Sequence, residues 1–208
     1  FLGAAPLKSA YINNVCDYLP VNLSDMPRWV RQEKMDIALV QVSPPNSEGY
    51  CNLGISVDTV QALIKNASYV IAQVNNELPW TSGDTSVHVS EIDSFVVSNR
   101  PLLTLSSGTP SELEMTIGSY VAELIPDYAN IQVGLGKIAD AVLLSLKSKK
   151  GLGCHSGSIT DAVTDLMDLG VITNEHKEID QYKTICTTLT GTDSLYQYVN
   201  NNKNIELY

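Results

Sequence analysis

Positive charge is scarce in this sequence: 13 lysines and arginines stand against 23 aspartates and glutamates, a net charge of −10. That argues against a nucleic-acid surface, because neutralising phosphates needs clustered Lys and Arg. The one basic cluster, Lys147, Lys149 and Lys150, closes a predicted helix, where cations suit the dipole; contact with an anionic ligand is the other reading. No apolar run approaches the roughly 18 residues of a membrane span. The first residues, Phe1-Leu2-Gly3, lack the basic n-region of a leader, and a cytoplasmic location is expected. An initiating Met is also missing, so a piece of a longer protein is expected. The four cysteines (Cys16, Cys51, Cys154, Cys186) form no CxxC pair. A zinc site or disulfide framework is therefore not expected, and reduced, buried thiols are. No metal site is predicted.

What is present is globular in composition, with 44% hydrophobic and 17% charged residues. The segments alternate in a βα rhythm. Ser24 caps a predicted helix through Pro27 to Glu33. Ile37 to Val42 is a continuous apolar run, as expected of a strand buried on both faces, and it stops at Ser43-Pro44-Pro45. A helix over 58–64, a strand over 69–74 and a short strand over 95–97 follow. After a break at 105–110, Ser111 opens a helix to about Leu124, with Glu114 at capping-box spacing. Then come strand 131–134, helix 138–147, strand 152–155, helix 161–168, strand 183–188 and helix 192–200. This order predicts an α/β fold of two open, mainly parallel sheets. The break places one module at 1–108 and the other at 111–208.

Two runs stand out. In the first, Gln132-Val133-Gly134-Leu135-Gly136, an apolar strand passes through two glycines into an amphipathic stretch. That is a strand–turn–helix unit whose turn brings backbone N–H groups close to a ligand. It is not the dinucleotide fingerprint, since Ala139 occupies the third glycine position. The second run, Gly153-Cys154-His155-Ser156-Gly157-Ser158, is small and polar at the end of the next strand. Two such strand ends side by side make a cleft. His155 and Ser156 point to opposite faces of a strand, which disfavours a Ser–His pair. The loop Ser43-Pro44-Pro45 through Gly49 to Gly54 is either a connection or a binding loop. The stretch from Gly83 to Asp93 sets His88 among carboxylates and hydroxyls; a metal or acid/base site is one reading there, but the spacing matches no familiar ligand set, and a structural hydrogen-bonded cluster is expected.

In this order the motifs resemble the acetyl-CoA hydrolase/transferase family, which includes 4-hydroxybutyrate and butyrate CoA-transferases. The resemblance is carried by Val42–Gly54, Gly83–Asp93, Gln132–Gly136 with Asp140-Ala141-Val142, Leu152–Ser156, Asp165-Leu166 and Gly170–Asn174, nearly the whole chain. It implies a NagB/RpiA-like fold with both domains incomplete here, and coenzyme A as acyl carrier. It also implies short-chain acyl-CoA thioesters and carboxylates as partners, and a homo-oligomer. The family's mechanism is covalent: a Glu carboxylate attacks the thioester to give an acyl–glutamyl anhydride and then a glutamyl-CoA thioester, from which a second acid takes the CoA. Gln132 to Gly136 then supply donors near CoA and the oxyanion, and Ser43, Pro44, Pro45, Gly49, Gly83 and His88 line a substrate pocket.

The sequence departs from the pattern at the reacting position. The family Glu follows the His-Ser pair, here His155-Ser156, and its place is held by Gly157; the usual Met beyond it is Ser158, and the proline of the turn helix is Ala139. Glycine has no side chain with which to form an anhydride. Glu48, Glu91 and Asp161 are candidate substitutes only by their proximity to the motifs. The implied activity is thus a transferase or hydrolase with a non-standard site, or an inactive CoA-binding or structural homologue. A sugar-phosphate isomerase shares the fold type alone.

Overall fold

The computed structural model describes residues 5–16, 19–106 and 108–208; Phe1-Leu2-Gly3, and Ser107 of the break at 105–110, lie outside them. Helix α1 (Ala5–Ile12) precedes α2 (Met26–Gln32). The predicted cap at Ser24 is corrected. Ser24 lies inside a 3-10 turn, Leu23–Asp25, and Asp25 is the N-cap of α2, because the tighter turn delays the α-helix by one residue.

Strand β1 (Met35–Val42) is followed by β2 (Tyr50–Asn52), helix α3 (Val60–Asn66) and β3 (Ala67–Val74). Next come the short strands β4 (Ser82–Gly83) and β5 (Ser86–His88), and then β6 (Ser94–Val97). A parallel sheet runs β1-β3-β6, while β2 and β5 form an antiparallel pair. The expectation of burial on both faces fails here. Ala38, Val40 and Val42, with Val70, Ala72 and Val74, point into the core, while Ile37 and Leu39 are 59% and 76% exposed. A run of apolar residues fits two covered faces equally well whether or not the second cover is contributed by the same stretch of chain. Among the described residues, one face is covered.

The second half opens with α4 (Glu112–Leu124), whose capping box is complete: Glu114 N–H donates to Ser111 Oγ (3.3 Å) and Ser111 N–H to the Glu114 carboxylate (2.6 Å). That bond holds the Glu114 carboxyl below its usual range. Strand β7 (Asn130–Ile131) leads through the glycine turn to α5 (Lys137–Ser145), and β8 (Gly153–Cys154) and β9 (Ser158–Ile159) precede α6 (Asp161–Asp168). The chain ends with β10 (Thr184–Cys186), β11 (Thr188–Leu189), α7 (Asp193–Val199) and β12 (Ile205–Leu207). Gly118, in mid-helix at a cost of roughly 0.5–1 kcal/mol, has a packing reason. A Cβ there would lie 2.6 Å from the Ala141 carbonyl carbon, so α4 and α5 cross backbone to backbone.

Two predicted strands are shorter than the apolar runs that suggested them. Strand 131–134 ends at Ile131, because Val133 N–H turns to a side chain, Ser156 Oγ (3.2 Å), instead of a ladder partner. Strand 183–188 breaks at Thr187, where the N–H groups of Thr187 and Thr188 both donate to the carbonyl of Gly157 (3.0 and 3.1 Å). Thus β10 joins the sheet β10-β12-β4, while β11 pairs with β9. The fold is α/β with small, mainly parallel sheets.

The two halves share structure. Strand β4 pairs with β12, and Leu189 N–H and Val57 N–H donate across to the carbonyls of Ile55 (2.8 Å) and Thr187 (3.1 Å). Buried Asn52 cements the first half. Its amide donates to Thr81 O and Thr85 Oγ1 (both 2.9 Å), and its carbonyl accepts from Gly54 N–H (2.9 Å) and Thr81 Oγ1 (3.0 Å). Fully paired, such a network fixes one loop conformation; half-paired, it would be costly.

Candidate functional site

Strands β7 and β8 lie side by side and parallel, with Ile131 opposite Cys154, so the glycine turn and the segment 155–157 emerge together. Three contacts fasten the two. His155 N–H donates to Ile131 O (3.0 Å), Val133 N–H donates to Ser156 Oγ, and that hydroxyl is within reach of the carbonyls of Val133 (2.9 Å) and Ser158 (2.8 Å). Ser156 is buried and His155 exposed, on opposite faces of the strand. Ser156 is therefore a clamp between the two runs.

From Gly134 to Ala139 no backbone N–H meets a protein acceptor among the described residues; the first N–H to do so is that of Asp140, to Gly136 O (3.0 Å). Gly136 has φ +118°, which disfavours side chains. A Cβ at Gly134 or Gly136 would meet nothing within 4 Å. The turn thus presents a row of free donors to open space, the arrangement that suits an anion or a developing oxyanion. Gly157 is similar in openness: a Cβ there meets nothing within 4 Å and its φ is not in the left-handed region, while its carbonyl is gripped by Thr187 and Thr188. Two cavities flank the turn. One, about 260 Å³, includes Gly136, Lys137, Thr160 and Thr190; the other, about 280 Å³, includes Gln132, Val133 and Gly134, with Val121 and Ile125 of α4.

The first-half residues are placed differently. Neither cavity is lined by Ser43, Pro44, Pro45, Gly49, Gly83 or His88. Ser43 Oγ accepts the Asn52 N–H (2.9 Å). The His88 ring meets Ser90 Oγ through Nδ1 (2.8 Å) and packs edge-on against Tyr50 at 5.0 Å. Gly49 (φ +83°) leaves room for the His88 ring, and Gly83 (φ +105°) lies against the Leu207 backbone. It is the next stretch of this loop, Ile55 and Ser56, that reaches the site's edge through β11.

Two of the three candidate carboxylates are occupied. Glu91 accepts the His88 N–H (3.2 Å). Asp161 takes both the N–H (2.9 Å) and the hydroxyl (2.6 Å) of Thr192. Glu48 sits exposed in the 46–50 turn. A carboxylate not singled out from the sequence is Asp140, half-buried in the first turn of α5, with Oδ1 3.5 Å from Thr160 Oγ1. Its place in Asp140-Ala141-Val142 was visible, but only the fold sets it beside Thr160. Two supports under β8 also escaped sequence reasoning. Asn174, with φ +58°, accepts the Cys154 N–H through Oδ1 (2.9 Å) and donates to Thr184 Oγ1 (3.0 Å). Buried Lys177 donates to the carbonyls of Cys154 (3.3 Å) and Lys183 (2.7 Å), and burial lowers its pKa.

Among the described residues, no cluster of three or more His, Cys, Asp or Glu is placed to hold a metal ion, and no helix is long and apolar enough to cross a membrane. The thiol of Cys154, buried in β8, is pushed up to about 12, mainly by desolvation, which removes it as a thiolate nucleophile near neutrality. Cys51 and Cys186 are also buried, with raised pKa values, and Cys16 is exposed. A disulfide-exchange reagent at neutral pH is expected to titrate one thiol in the folded chain and four after denaturation; absorbance of the released chromophore reads the count, and a second fast thiol would contradict the burial.

The family model of the acetyl-CoA hydrolase/transferase N-terminal domain matches residues 1–105. The chain belongs to the acetyl-CoA hydrolase/transferase family. It is 43% identical to the 4-hydroxybutyrate coenzyme A transferase of Clostridium kluyveri, over the whole of this chain and 49% of that protein. To the succinyl-CoA:acetate/propanoyl-CoA:succinate CoA transferase of Fasciola hepatica it is 39% identical, over 92% of this chain and 41% of that one. Among solved structures, 4-hydroxybutyrate CoA-transferase from Porphyromonas gingivalis superposes with a TM-score of 0.88 at 34% identity, covering 100% of this chain and 54% of the other. RipA from Yersinia pestis superposes at 0.91 and 29% identity, covering 100% and 50%. The chain spans about half the length of the relatives it matches.

Proposed function

We propose that this chain is part of a CoA-transferase or acyl-CoA hydrolase that acts on short-chain acyl-CoA thioesters and carboxylates through a site lacking the family glutamate. The observation that carries the reading is the row of free N–H groups from Gly134 to Ala139 held beside Gly157 by Ser156. In this reading Gln132 to Gly136 receive the CoA thioester, the donors stabilise charge on its carbonyl oxygen, and the open space at Gly157 admits an acyl group or a water molecule. Asp140 is the carboxylate we assign to orient that water. His155 and Ser156 position the strand end; Ser43, Pro44, Pro45, Gly49, Gly83 and His88 act by shaping the first-half loop that supports β11. CoA is the acyl carrier and no metal takes part. Residues 1–108 and 111–208 belong to two similar α/β modules, in a cytoplasmic homo-oligomer.

Gly157 itself favours a second reading, an inactive CoA-binding or structural homologue. Incubation of the whole protein with a panel of short acyl-CoA thioesters, with release of CoA followed by a thiol reagent, separates the two. Steady release supports the enzyme; CoA binding by calorimetry without any release supports the homologue. Mass spectrometry of the same mixtures after borohydride locates any residue that replaces the missing glutamate.

A further inference from the structure

We propose that Lys137 makes the cavity beside the glycine turn selective for short acids with a second anionic group, that is, for dicarboxylic over monocarboxylic acids or acyl groups. The inference rests on the CoA-transferase or hydrolase reading of this site, and it goes beyond it by naming the determinant of substrate charge.

The cavity, about 260 Å³, is walled by Leu105 and Leu135 and by the polar groups of Ser106, Lys137, Thr160 and Thr190. Its polar side chains are donors with few acceptors to satisfy them. The Ser106 hydroxyl accepts the Gly108 N–H (3.2 Å) and the Thr190 hydroxyl accepts from Ser158 Oγ (3.0 Å), so both retain a proton to give. Lys137 takes part in none of the ion pairs among the described residues. No aspartate or glutamate lines this cavity itself; an adjoining cavity of about 380 Å³ shares Leu105, Ser106, Thr160 and Thr190 with it and is lined by Asp140, Asp161 and Asp165. Of the carboxylates around it, Glu114 and Asp161 are engaged by other groups, while Asp140 meets the cavity wall at Thr160. Glu114 feels the charge of Lys137 but is held by the Ser111 N–H (2.6 Å), and Asp161 is held by Thr192.

In a chain of net charge −10, a cation left unpaired beside two spare hydroxyl protons calls for an anionic ligand; charge-assisted bonds of this kind are the strong ones. The leucine walls, more than half exposed, suit methylenes rather than a second polar shell. The cavity is smaller than the roughly 300–1,000 Å³ of ordinary ligand pockets, which suits a short acid. Ser158, which reaches Thr190, adjoins Gly157, so the proposed anion site is next to the reacting position.

The test is calorimetric titration of the whole protein with succinate and glutarate against butyrate and valerate, in the original protein, Lys137→Gln and Lys137→Arg, with CoA titrated in parallel. Dicarboxylates are expected to bind about tenfold or more tightly than monocarboxylates of equal length, as hydrogen bonds to charged groups allow. That preference should vanish in Lys137→Gln, survive in Lys137→Arg, and leave monocarboxylate and CoA affinities unchanged. Equal affinity for both acids in the original protein overturns the proposal. So does a Lys137→Gln variant that loses CoA affinity and keeps any dicarboxylate preference, which would give the cation to the CoA phosphates. Failure of CoA to bind the original protein defeats the functional reading instead, and the acid comparison still decides the role of Lys137.

Discussion

Gly157→Glu is expected to raise the rate of CoA transfer from an acyl-CoA to a free carboxylate by about 100-fold or more, equivalent to roughly 2.7 kcal/mol off the barrier. The backbone at 157 is free of left-handed strain, a Cβ there meets nothing within 4 Å, and four donors already fix the following peptide plane through the Gly157 carbonyl. The introduced carboxylate would attack the acyl carbonyl. The CoA thiolate leaves, then attacks the glutamyl carbonyl of the anhydride and releases the original acid. An incoming carboxylate reverses the sequence and departs as the new thioester. The free N–H groups of the glycine turn, untouched by the substitution, stabilise the charge at each step. Transfer kinetics provide the first measurement, and the mass of the peptide containing residue 157 after borohydride provides the second. Gly157→Gln, equal in size and unable to attack, should gain nothing. A folded Gly157→Glu protein with neither transfer nor adduct would show that the turn is not arranged for acyl chemistry.

Much of the second half was legible because each signal was local. The capping box at Ser111 and Glu114 and helix α6 at 161–168 lie where the residues place them. The neighbouring strand ends at 131 and 154 follow from the βα order. What the sequence hid was non-local. Ser156 reads as a small polar residue, and only its partner across β7 makes it a clamp. Asp140 and Lys177 each meet a partner 20 or more positions away, Thr160 and Cys154. The apolar run at 37–42 could not reveal that Ile37 and Leu39 face outward, because composition at a strand records no neighbour. The split of 183–188 into β10 and β11 depended on the carbonyl of Gly157, 30 residues upstream of Thr187.

The same distinction between local and non-local causes separates two glycines. Gly83→Ala is expected to destabilise the fold by about 3 kcal/mol, lowering the melting temperature by roughly 6–12 °C, while Gly134→Ala changes stability by no more than about 0.5 kcal/mol. At Gly83, φ is +105° and the new methyl would fall on the backbone of Leu207, 2.6 Å from its nitrogen. Left-handed strain costs about 1–3 kcal/mol and overpacking about 1–3 kcal/mol. Neither is relieved by a rotamer change, since the obstacle is main chain. Strand β4 would have to part from β12, and with it goes a register that ties residues 82–83 to 206–207 across the two halves. At Gly134 the methyl enters open space, so any loss there should appear in CoA affinity and not in folding. Thermal melting of both variants, with CoA titration of each, distinguishes these outcomes. If Gly83→Ala melted with the original protein, the β4–β12 contact would not be holding the halves together. If Gly134→Ala lost stability instead of CoA affinity, the glycine turn would be a folding element and its free donors incidental.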